Sequence, residues 1–401
     1  MTEFSILRQA AGLTVPKAAQ IAGIATSTAY RWEHGEVAAL TVSLDKLRAA
    51  AQPIAAPAKT AFRFVDLFAG IGGLRRGFDA IGGTCVCTAE WDRFAQATYR
   101  ANYRNDGPDH RFLGDITKVD ASDIPAHDVL LAGFPCQPFC EQELKETGLQ
   151  SYRDLVQGTL FFDVVLAIHH HMPRFIVLEN FKEMLTFSDG KTFALMRHTL
   201  EKELGYDLGI RCIDARSVVP MRRERVYIVG VRRDLGHRLD FGAMDLPDPA
   251  KGPRLGSILH TEDGKEIGDP DFTNVDGTVA DRYNLSDGFW KSLQGYAEKH
   301  HLNGNGFGYD LVGPSSIARG LSQRYHKDGS QILVDRGSGR NPRRLTPREC
   351  ARLVGFDRAG ENGFIIPVSD TQAYIQFGNA TIAPISLAVA KHMESSILAT
   401  R

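Results

Sequence analysis

Five short apolar runs, FRFVDLF, GTCVCTAE, HDVLLAGF, FIVLEN and RVYIVGV, begin at residue 62 and are separated by stretches of helical spacing such as LRRGFDAIG, RFAQATYRANY and TFALMRHTLEKELG. Runs of this kind, apolar throughout rather than alternating, read as strands covered on both faces. Repeated strand–helix alternation therefore predicts an α/β fold with a mostly parallel, doubly wound sheet, whose ligands bind at the carboxyl ends of the strands. The alternation holds over 62–231 and fails over 232–340, where Gly, Asp, Asn and short aromatic runs (GNGFGYD, DRGSGRNP) indicate an irregular second lobe. Pattern returns in LTPRECARLVGF and the apolar-faced ISLAVAKHMESSIL, so residues 341–401 are expected to rejoin the first domain, with that last helix packing on the sheet.

Upstream, residues 1–50 carry short helical patterns: one ending near Gly12, then VPKAAQIAG, TSTAYRWEHG and SLDKLRAAA. Thr26 or Ser27 can cap the third helix, whose exposed side would carry Ser27, Thr28, Tyr30 and Arg31. The spacing suits a small all-α helix-turn-helix domain that lays its recognition helix in the major groove. The segment resembles the repressor-like family of such domains, with Trp32-Glu33-His34-Gly35 closing that helix. A small helical bundle that only packs on its neighbour is the alternative. Residues 51–61, AQPIAAPAKTA, lack periodicity and mark a linker.

With 43% hydrophobic and 24% charged residues, the chain has the composition of an ordinary globular protein. It contains no uncharged apolar run of about 18 residues and opens without a basic stretch leading into an apolar one, so no membrane association and a cytoplasmic location are expected. The net charge is −1, so a nucleic-acid partner must be held by local basic surface. Two segments offer it: Arg222, Arg223, Arg225, Arg232 and Arg233, then Arg319, Arg324, Lys327, Arg336, Arg340, Arg343, Arg344 and Arg348. The six cysteines follow neither a disulfide framework nor a zinc motif. Cys85 and Cys87 share a strand face and read as core. His169-His170-His171 point in different directions at a helix end, so no metal is expected.

Phe68-Ala69-Gly70-Ile71-Gly72-Gly73-Leu74 follows the first strand and opens the first helix. Its glycines let a ligand approach the backbone, and a helix amino end offers free N–H groups. The second strand ends in Glu90-Trp91, a carboxylate for two ribose hydroxyls and a ring to stack on adenine. Asp115, followed by Ile116, could accept the adenine amino group. These features imply an adenosine-containing cofactor without choosing it: a nicotinamide dehydrogenase fits nearly as well.

Gly133-Phe134-Pro135-Cys136-Gln137-Pro138-Phe139 follows the strand HDVLLAGF, so Cys136 lies at the carboxyl edge of the sheet, in a loop whose path two prolines restrict. In the order FVDLFAGIGG, EW, GDIT, GFPCQPF, GTLFF, LEN, RRERVYIVG, RRLTPRECARLVGF and YIQFGNA, the motifs resemble those of the DNA (cytosine-5) methyltransferases from residue 62 to the carboxyl end. The resemblance implies a Rossmann-like catalytic domain over 62–231, a target-recognition lobe over 232–340, and S-adenosylmethionine as cofactor beside Phe68–Leu74, Glu90, Trp91, Asp115, Ile116, Pro135, Asn379 and Ala380. Asn379 could instead cap the last helix.

The chemistry needs each of these parts. Cytosine carbon 5 becomes nucleophilic only after addition at carbon 6, for which a thiolate suits best. Cys136 is that nucleophile. Glu179 is the candidate acid at ring nitrogen 3 if burial raises its pKa. The resemblance places Arg223 and Arg225 at the target base and its phosphate, with Arg225 on the carbonyl oxygen, while Glu224 between them can point into solvent. The base must leave the duplex, and Gln137, Arg324 and Lys327 are candidate DNA contacts.

Several positions depart from the family: Met221 where glutamine is general, Cys140 for serine or threonine, Gln157 for arginine, and Thr381 where valine is frequent. The segment 303–378 looks closest to the Dcm and EcoRII-type branch, which modifies CCWGG- or CCNGG-like palindromes. The expected partner is double-stranded DNA, met by a monomer during catalysis, within a restriction–modification system. Two other readings stand beside this one: a transcriptional regulator binding its own promoter through residues 1–50, and an RNA cytosine methyltransferase on the same scaffold.

Overall fold

The computed structural model describes residues 2–10, 13–50, 60–104, 106–135, 160–262, 269, 271–304, 308–360 and 363–400. They fall into two compact units, one drawn from 57–92, 106–252 and 381–401, the other from 1–56, 93–105 and 253–380.

The chain opens with four helices, α1 (Glu3–Ala10), α2 (Val15–Ala22), α3 (Thr26–His34) and α4 (Thr41–Ala50). They close over a core of their own made by Phe4, Val15, Ala18, Ala19, Ala29, Trp32, Leu44 and Leu47. The Thr14 hydroxyl accepts from Lys17 N–H to start α2, and Gly23 ends it in the left-handed conformation. The expected cap of α3 by Thr26 or Ser27 is corrected: Ala25 is the capping residue and its side chain makes no capping bond, so Thr26 already begins the helix. Buried Arg8 is neutralised by Glu33 of the Trp-Glu-His-Gly segment, with Nε donating at 2.9 Å.

The sheet unit is built from β1 (Phe62–Leu67), β2 (Gly83–Ala89), β3 (Arg111–Leu113), β4 (Val129–Ala132), β5 (Phe175–Phe181), β6 (Tyr206–Asp214) and β7 (Glu224–Arg232), in the order β3-β2-β1-β4-β5-β7-β6. β1 to β5 are parallel, and β7 runs antiparallel between β5 and β6. All five expected strands are present. β3 and β6 carried no sequence signal. β3 has three residues, and β6 is an edge strand whose residues are mostly half-buried, so neither produces an apolar run.

Helix α5 (Arg75–Ala80) follows β1 and α6 (Arg93–Asn102) follows β2, α6 belonging to the other unit. The glycine segment does not open α5 directly; a turn through Leu74 precedes it. Helices α7 (Leu160–His171) and α8 (Lys191–His198) cover one sheet face, meeting Val65, Leu67, Leu130, Ala132, Ile176, Leu178, Val226 and Ile228. On the other face Phe62 and Phe64 meet Phe78 of α5, with ring centroids 6.5 and 6.1 Å apart. Both faces are thus covered, as apolar strands require. Cys85 and Cys87 are buried in β2, and burial pushes both thiols up, Cys87 to about 12. The chain stays with the sheet to residue 252, because Phe241 packs on Gly209 of β6 and Arg211 donates to the Met244 carbonyl.

In the other unit, the stretch expected to be irregular contains helix α9 (Asp287–Leu302), capped by Ser286. Its only buried residue is Leu293, which left no apolar face to detect. Three two-residue strands, β8 (Leu311–Val312), β9 (Leu333–Val334) and β10 (Arg343–Arg344), form a small sheet with α10 (Tyr325–Asp328) between the first two in sequence. α11 (Pro347–Leu353) and α12 (Asp370–Asn379) follow, and α13 (Ala383–Ala399) returns to the sheet unit.

α13 packs on α5 through two glycines. A Cβ on Gly73 would lie 2.6 Å from the Thr381 carbonyl oxygen, and one on Gly77 would lie 2.3 Å from that of Ser386. Gly77→Ala should therefore lower the unfolding free energy by roughly 1–3 kcal/mol, the usual cost of overpacking. A urea midpoint equal to the parent's would show that the two helices can separate without loss.

Candidate functional site

The carboxyl ends of β2, β1, β4 and β5 lie side by side on one edge of the sheet, since these strands are parallel neighbours. β7 is antiparallel to β5, so its start reaches the same edge and pairs Arg225 with Phe181 and Tyr227 with Glu179.

At the end of β1, Phe68 has φ 55°, Gly70 φ 55° and Gly72 φ 84°. A left-handed phenylalanine is uncommon and costs on the order of 1–3 kcal/mol. It is held by the next amide, Ala69 N–H donating to the Ala89 carbonyl at 3.0 Å, and by edge contact of its ring with Phe134, centroids 6.5 Å apart. Gly70 N–H then donates to Glu90 Oε2 at 2.8 Å, while Asp92 N–H donates to Oε1 at 2.8 Å. Burial raises the Glu90 carboxyl against the pull of these two donors.

A Cβ at Gly70 would meet nothing within 4 Å, so the turn keeps an open face beside Glu90. Trp91 is 76% exposed, unlike a core aromatic. Asp115 caps the turn Ile116–Lys118, and hydrogen bonds from Thr117 hold its carboxyl below the usual range. An open glycine turn, a carboxylate already fixed against it and an exposed indole fit a nucleoside. Ile71, Leu74 and Ile116 are buried, which leaves only their main chains for a ligand, and Gly73 is closed on its Cβ side by Thr381.

Beyond β4, Gly133, buried Phe134 and exposed Pro135 are described; Cys136, Gln137, Cys140 and Gln157 lie outside the described residues. The path toward Cys136 is pinned by Asn180, whose Nδ2 donates to the Phe134 carbonyl at 3.0 Å and whose Oδ1 accepts from Phe181 N–H at 2.8 Å. Sequence reasoning quoted Leu178-Glu179-Asn180 but gave Asn180 no role.

Glu179 is 8% exposed. Its Oε1 lies 3.3 Å from Arg225 Nε, and the Thr381 hydroxyl also hydrogen-bonds the carboxyl. Burial raises its pKa, with Arg225, Arg223 and Thr381 opposing. The Arg225 guanidinium stacks on the Phe181 ring, 4.0 Å from its centroid, and donates to the Glu224 carbonyl at 2.9 Å. Arg223 is buried, which lowers its pKa to about 10, assisted by the like charge of Arg225 and opposed by Glu179. The two-residue period of a strand turns Glu224 to the opposite side, where it is exposed and pairs with Lys182 at 3.0 Å. Met221 is fully buried.

Elsewhere, Ser27, Tyr30 and Arg31 are exposed on α3 and Thr28 is half-buried, with Arg31 3.7 Å from Glu36. Arg324 and Lys327 are exposed at α10. Arg343 and Arg348 are not surface, as the charge cluster had implied. Arg343 pairs with Glu349 at 2.8 Å, and Arg348 pairs with Asp269 at 2.7 Å and with Asp357. Asn379 ends α12 with Ala380 as its cap; it does not cap the last helix, which starts after Ile382. Among the described residues no group of three or more His, Cys, Asp or Glu side chains could hold a metal, and no helix is long and apolar enough to cross a membrane.

Residues 62–395 match the family of C-5 cytosine-specific DNA methylases. The chain is 44% identical over 386 residues to the DNA-cytosine methyltransferase of Escherichia coli K12, covering 84% of this chain and 78% of that protein. It is 40% identical over 408 residues to the type II methyltransferase M1.ScrFI of Lactococcus lactis subsp. cremoris, covering 98% and 95%. Among solved structures, the S. pombe Dnmt2 methyltransferase superposes with a TM-score of 0.56 at 17% identity over 84% of this chain and 99% of that one, a likeness of fold alone.

Asn180→Ala would strand the buried Phe134 carbonyl. Unfolding free energy should drop by roughly 1–3 kcal/mol, the penalty for an unsatisfied buried acceptor. Chemical denaturation reads it, and an unchanged stability would mean that another group holds this loop.

Proposed function

We infer, for a chain that belongs to the C-5 cytosine-specific DNA methylase family and is a DNA-cytosine methyltransferase of the type II restriction–modification kind, that Cys136 is the nucleophile and Glu179 the acid. The carrying observation is a carboxyl buried beside an arginine at the strand edge from which the Gly133-Phe134-Pro135 segment leads to Cys136. The Cys136 thiolate adds to carbon 6 of the cytosine, and the electron pair moves into the ring toward nitrogen 3; once carbon 5 carries the methyl group, its proton and the sulfur leave, which restores the ring and the free thiolate. Glu179 supplies the proton there, and its raised pKa supports that role because a group that must donate has to remain protonated. Arg225, held by the Phe181 ring and the Glu224 carbonyl, faces the base carbonyl oxygen as a preset donor. Buried Arg223 adds positive charge behind it.

S-adenosylmethionine, bound, supplies the methyl group as an electrophilic sulfonium. Phe68 to Gly72 would form its cradle, Glu90 would receive the ribose hydroxyls, Trp91 would stack on adenine and Asp115 would accept the adenine amino group. The open face at Gly70 and the exposure of Trp91 support this assignment.

The substrate is double-stranded DNA, with the target cytosine turned out of the helix so that the sulfur can reach it. Gln137 contacts the duplex, and exposed Arg324 and Lys327 meet phosphates. The target is a CCWGG- or CCNGG-like palindrome, a reading that rests on the resemblance of residues 303–378 to the Dcm and EcoRII-type branch and is tested by methylome sequencing of cells expressing the chain; modification confined to another motif overturns it. Residues 1–50 act as a helix-turn-helix module that binds operator DNA through Ser27, Thr28, Tyr30 and Arg31. The left-handed Gly23 turn before α3 supports this. Deleting residues 1–55 should abolish footprinting of the chain's own promoter and spare methylation.

Cys136→Ser should abolish transfer from tritiated donor to plasmid DNA while leaving the circular-dichroism spectrum unchanged; robust turnover would remove the covalent mechanism. Glu179→Gln should lower kcat roughly 10²–10⁴-fold, the usual weight of a general acid. Activity of the parent should fall as pH rises through the elevated Glu179 pKa, since the proton donor is then lost, and a Gln variant that kept both rate and pH profile would unseat Glu179.

A further inference from the structure

The geometry points to Thr381 as a positioning residue for the acid: its hydroxyl holds the Glu179 carboxyl while its main chain is seated against Gly73 of the glycine turn. The inference rests on Glu179 being the proton donor.

Thr381 lies between Ala380, which caps α12, and Ile382, which caps α13, so its place is set by the packing of α13 on α5. From the position a Cβ would take on Gly133, Glu179 Oε2 is 3.6 Å away and Thr381 Oγ1 is 3.7 Å away, so both oxygens flank the start of the loop that leads to Cys136. From the corresponding position on Gly73, the Thr381 carbonyl oxygen is 2.6 Å away and its amide nitrogen 3.1 Å. One residue thus touches the cofactor turn with its backbone and the acid with its side chain. A methyl group on Gly73 would force it away, whereas one on Gly133 would meet both oxygens at ordinary contact distance.

Among the described residues, the charged and titratable groups facing Glu179 are Arg225 and Tyr227 of β7 and Arg223 just before it. Gly133, just after β4, lies beside the carboxyl. Arg225 engages Oε1, and Oε2 is the oxygen next to Gly133. Guanidinium groups only donate, so they hold the carboxylate well and the protonated acid poorly. A hydroxyl donates to the first and accepts from the second. Thr381 therefore keeps the carboxyl aimed through both halves of a proton transfer, which Arg225 alone cannot do.

The test compares Thr381→Val and Thr381→Ala, which delete the hydroxyl, with Thr381→Ser, which keeps it, all after a thermal melt confirms folding. Loss of a donor that favours the anion leaves burial less opposed. The descending limb of the kcat pH profile should then move up by roughly half to one pH unit, the size of one hydrogen bond to a carboxyl group. At the optimum, kcat should fall several-fold while KM for DNA and for the methyl donor holds, and Ser should restore the parent profile. Superimposable profiles for Val, Ala and the parent, or failure of Ser to restore, overturn the proposal. Adding Thr381→Val to Glu179→Gln should change nothing further, since the amide still bonds the hydroxyl but has no proton to deliver to the ring. Should Glu179→Gln alone retain full rate, the acid assignment fails first, an outcome distinct from a dead Gln variant with an unmoved Val profile.

Discussion

A carboxyl group taken out of water at a strand end is tolerated only when the lattice around it answers its charge. Here the answer is topological. β7 enters between β5 and β6 against the direction of the parallel strands, so its first residues arrive where β5 finishes. Period-two geometry then puts Arg223, Arg225 and Tyr227 on the side of Glu179 and sends Glu224 to solvent. A parallel strand in that slot would have delivered its far end instead, leaving a buried acid without arginine. The reversed strand is therefore what brings arginine to the buried carboxyl, and not merely an edge closure.

A second dependence runs through α5 and α13. Close approach at Gly73 and Gly77, with the Ser386 hydroxyl donating to the Leu74 carbonyl, fixes the start of the last helix to the turn after β1. The same turn presents Gly70 N–H to Glu90. Phe68 and Phe134 meet edge to face, which ties the turn to the segment before Cys136. The glycine turn, the Gly133-Phe134-Pro135 segment and Glu179 are consequently registered to one another by short contacts among residues far apart in sequence, the kind of fixed placement that a reaction needing several groups aimed at one ring requires.

How far the sequence reveals this varies with the kind of interaction. β1, β2, β4, β5 and β7 are legible because burial on both faces demands uninterrupted apolar residues. β6 is hidden because one of its edges and much of its surface are open, and α9 because it buries a single leucine. Glu179, Arg225 and the glycine turn stand out as chemistry-bearing residues at strand ends. Asn180 and Thr381 do not, since their roles consist of one hydrogen bond each to a group far along the chain. Cys136 is legible from its Pro-Cys-Gln-Pro-Phe setting and lies outside the described residues.

The arginines of Arg-Arg-Leu-Thr-Pro-Arg-Glu-Cys show why charge clusters mislead. Thr346 and Glu349 form a reciprocal cap at the start of α11, each side chain bonding the other's amide. The Glu349 carboxylate then has oxygen lone pairs left over, and both guanidinium ends of Arg343 occupy them at 2.8 Å. One helical step on, Arg348 is bracketed by Asp269 and Asp357 and also donates to the Phe364 carbonyl. Each cation is buried because an acidic partner is buried with it, Glu349 for Arg343 and Asp269 and Asp357 for Arg348, and removal of either partner alone would leave an uncompensated charge. Arg324 and Lys327, by contrast, are exposed, and that difference separates the arginines that build this unit from basic residues on its surface.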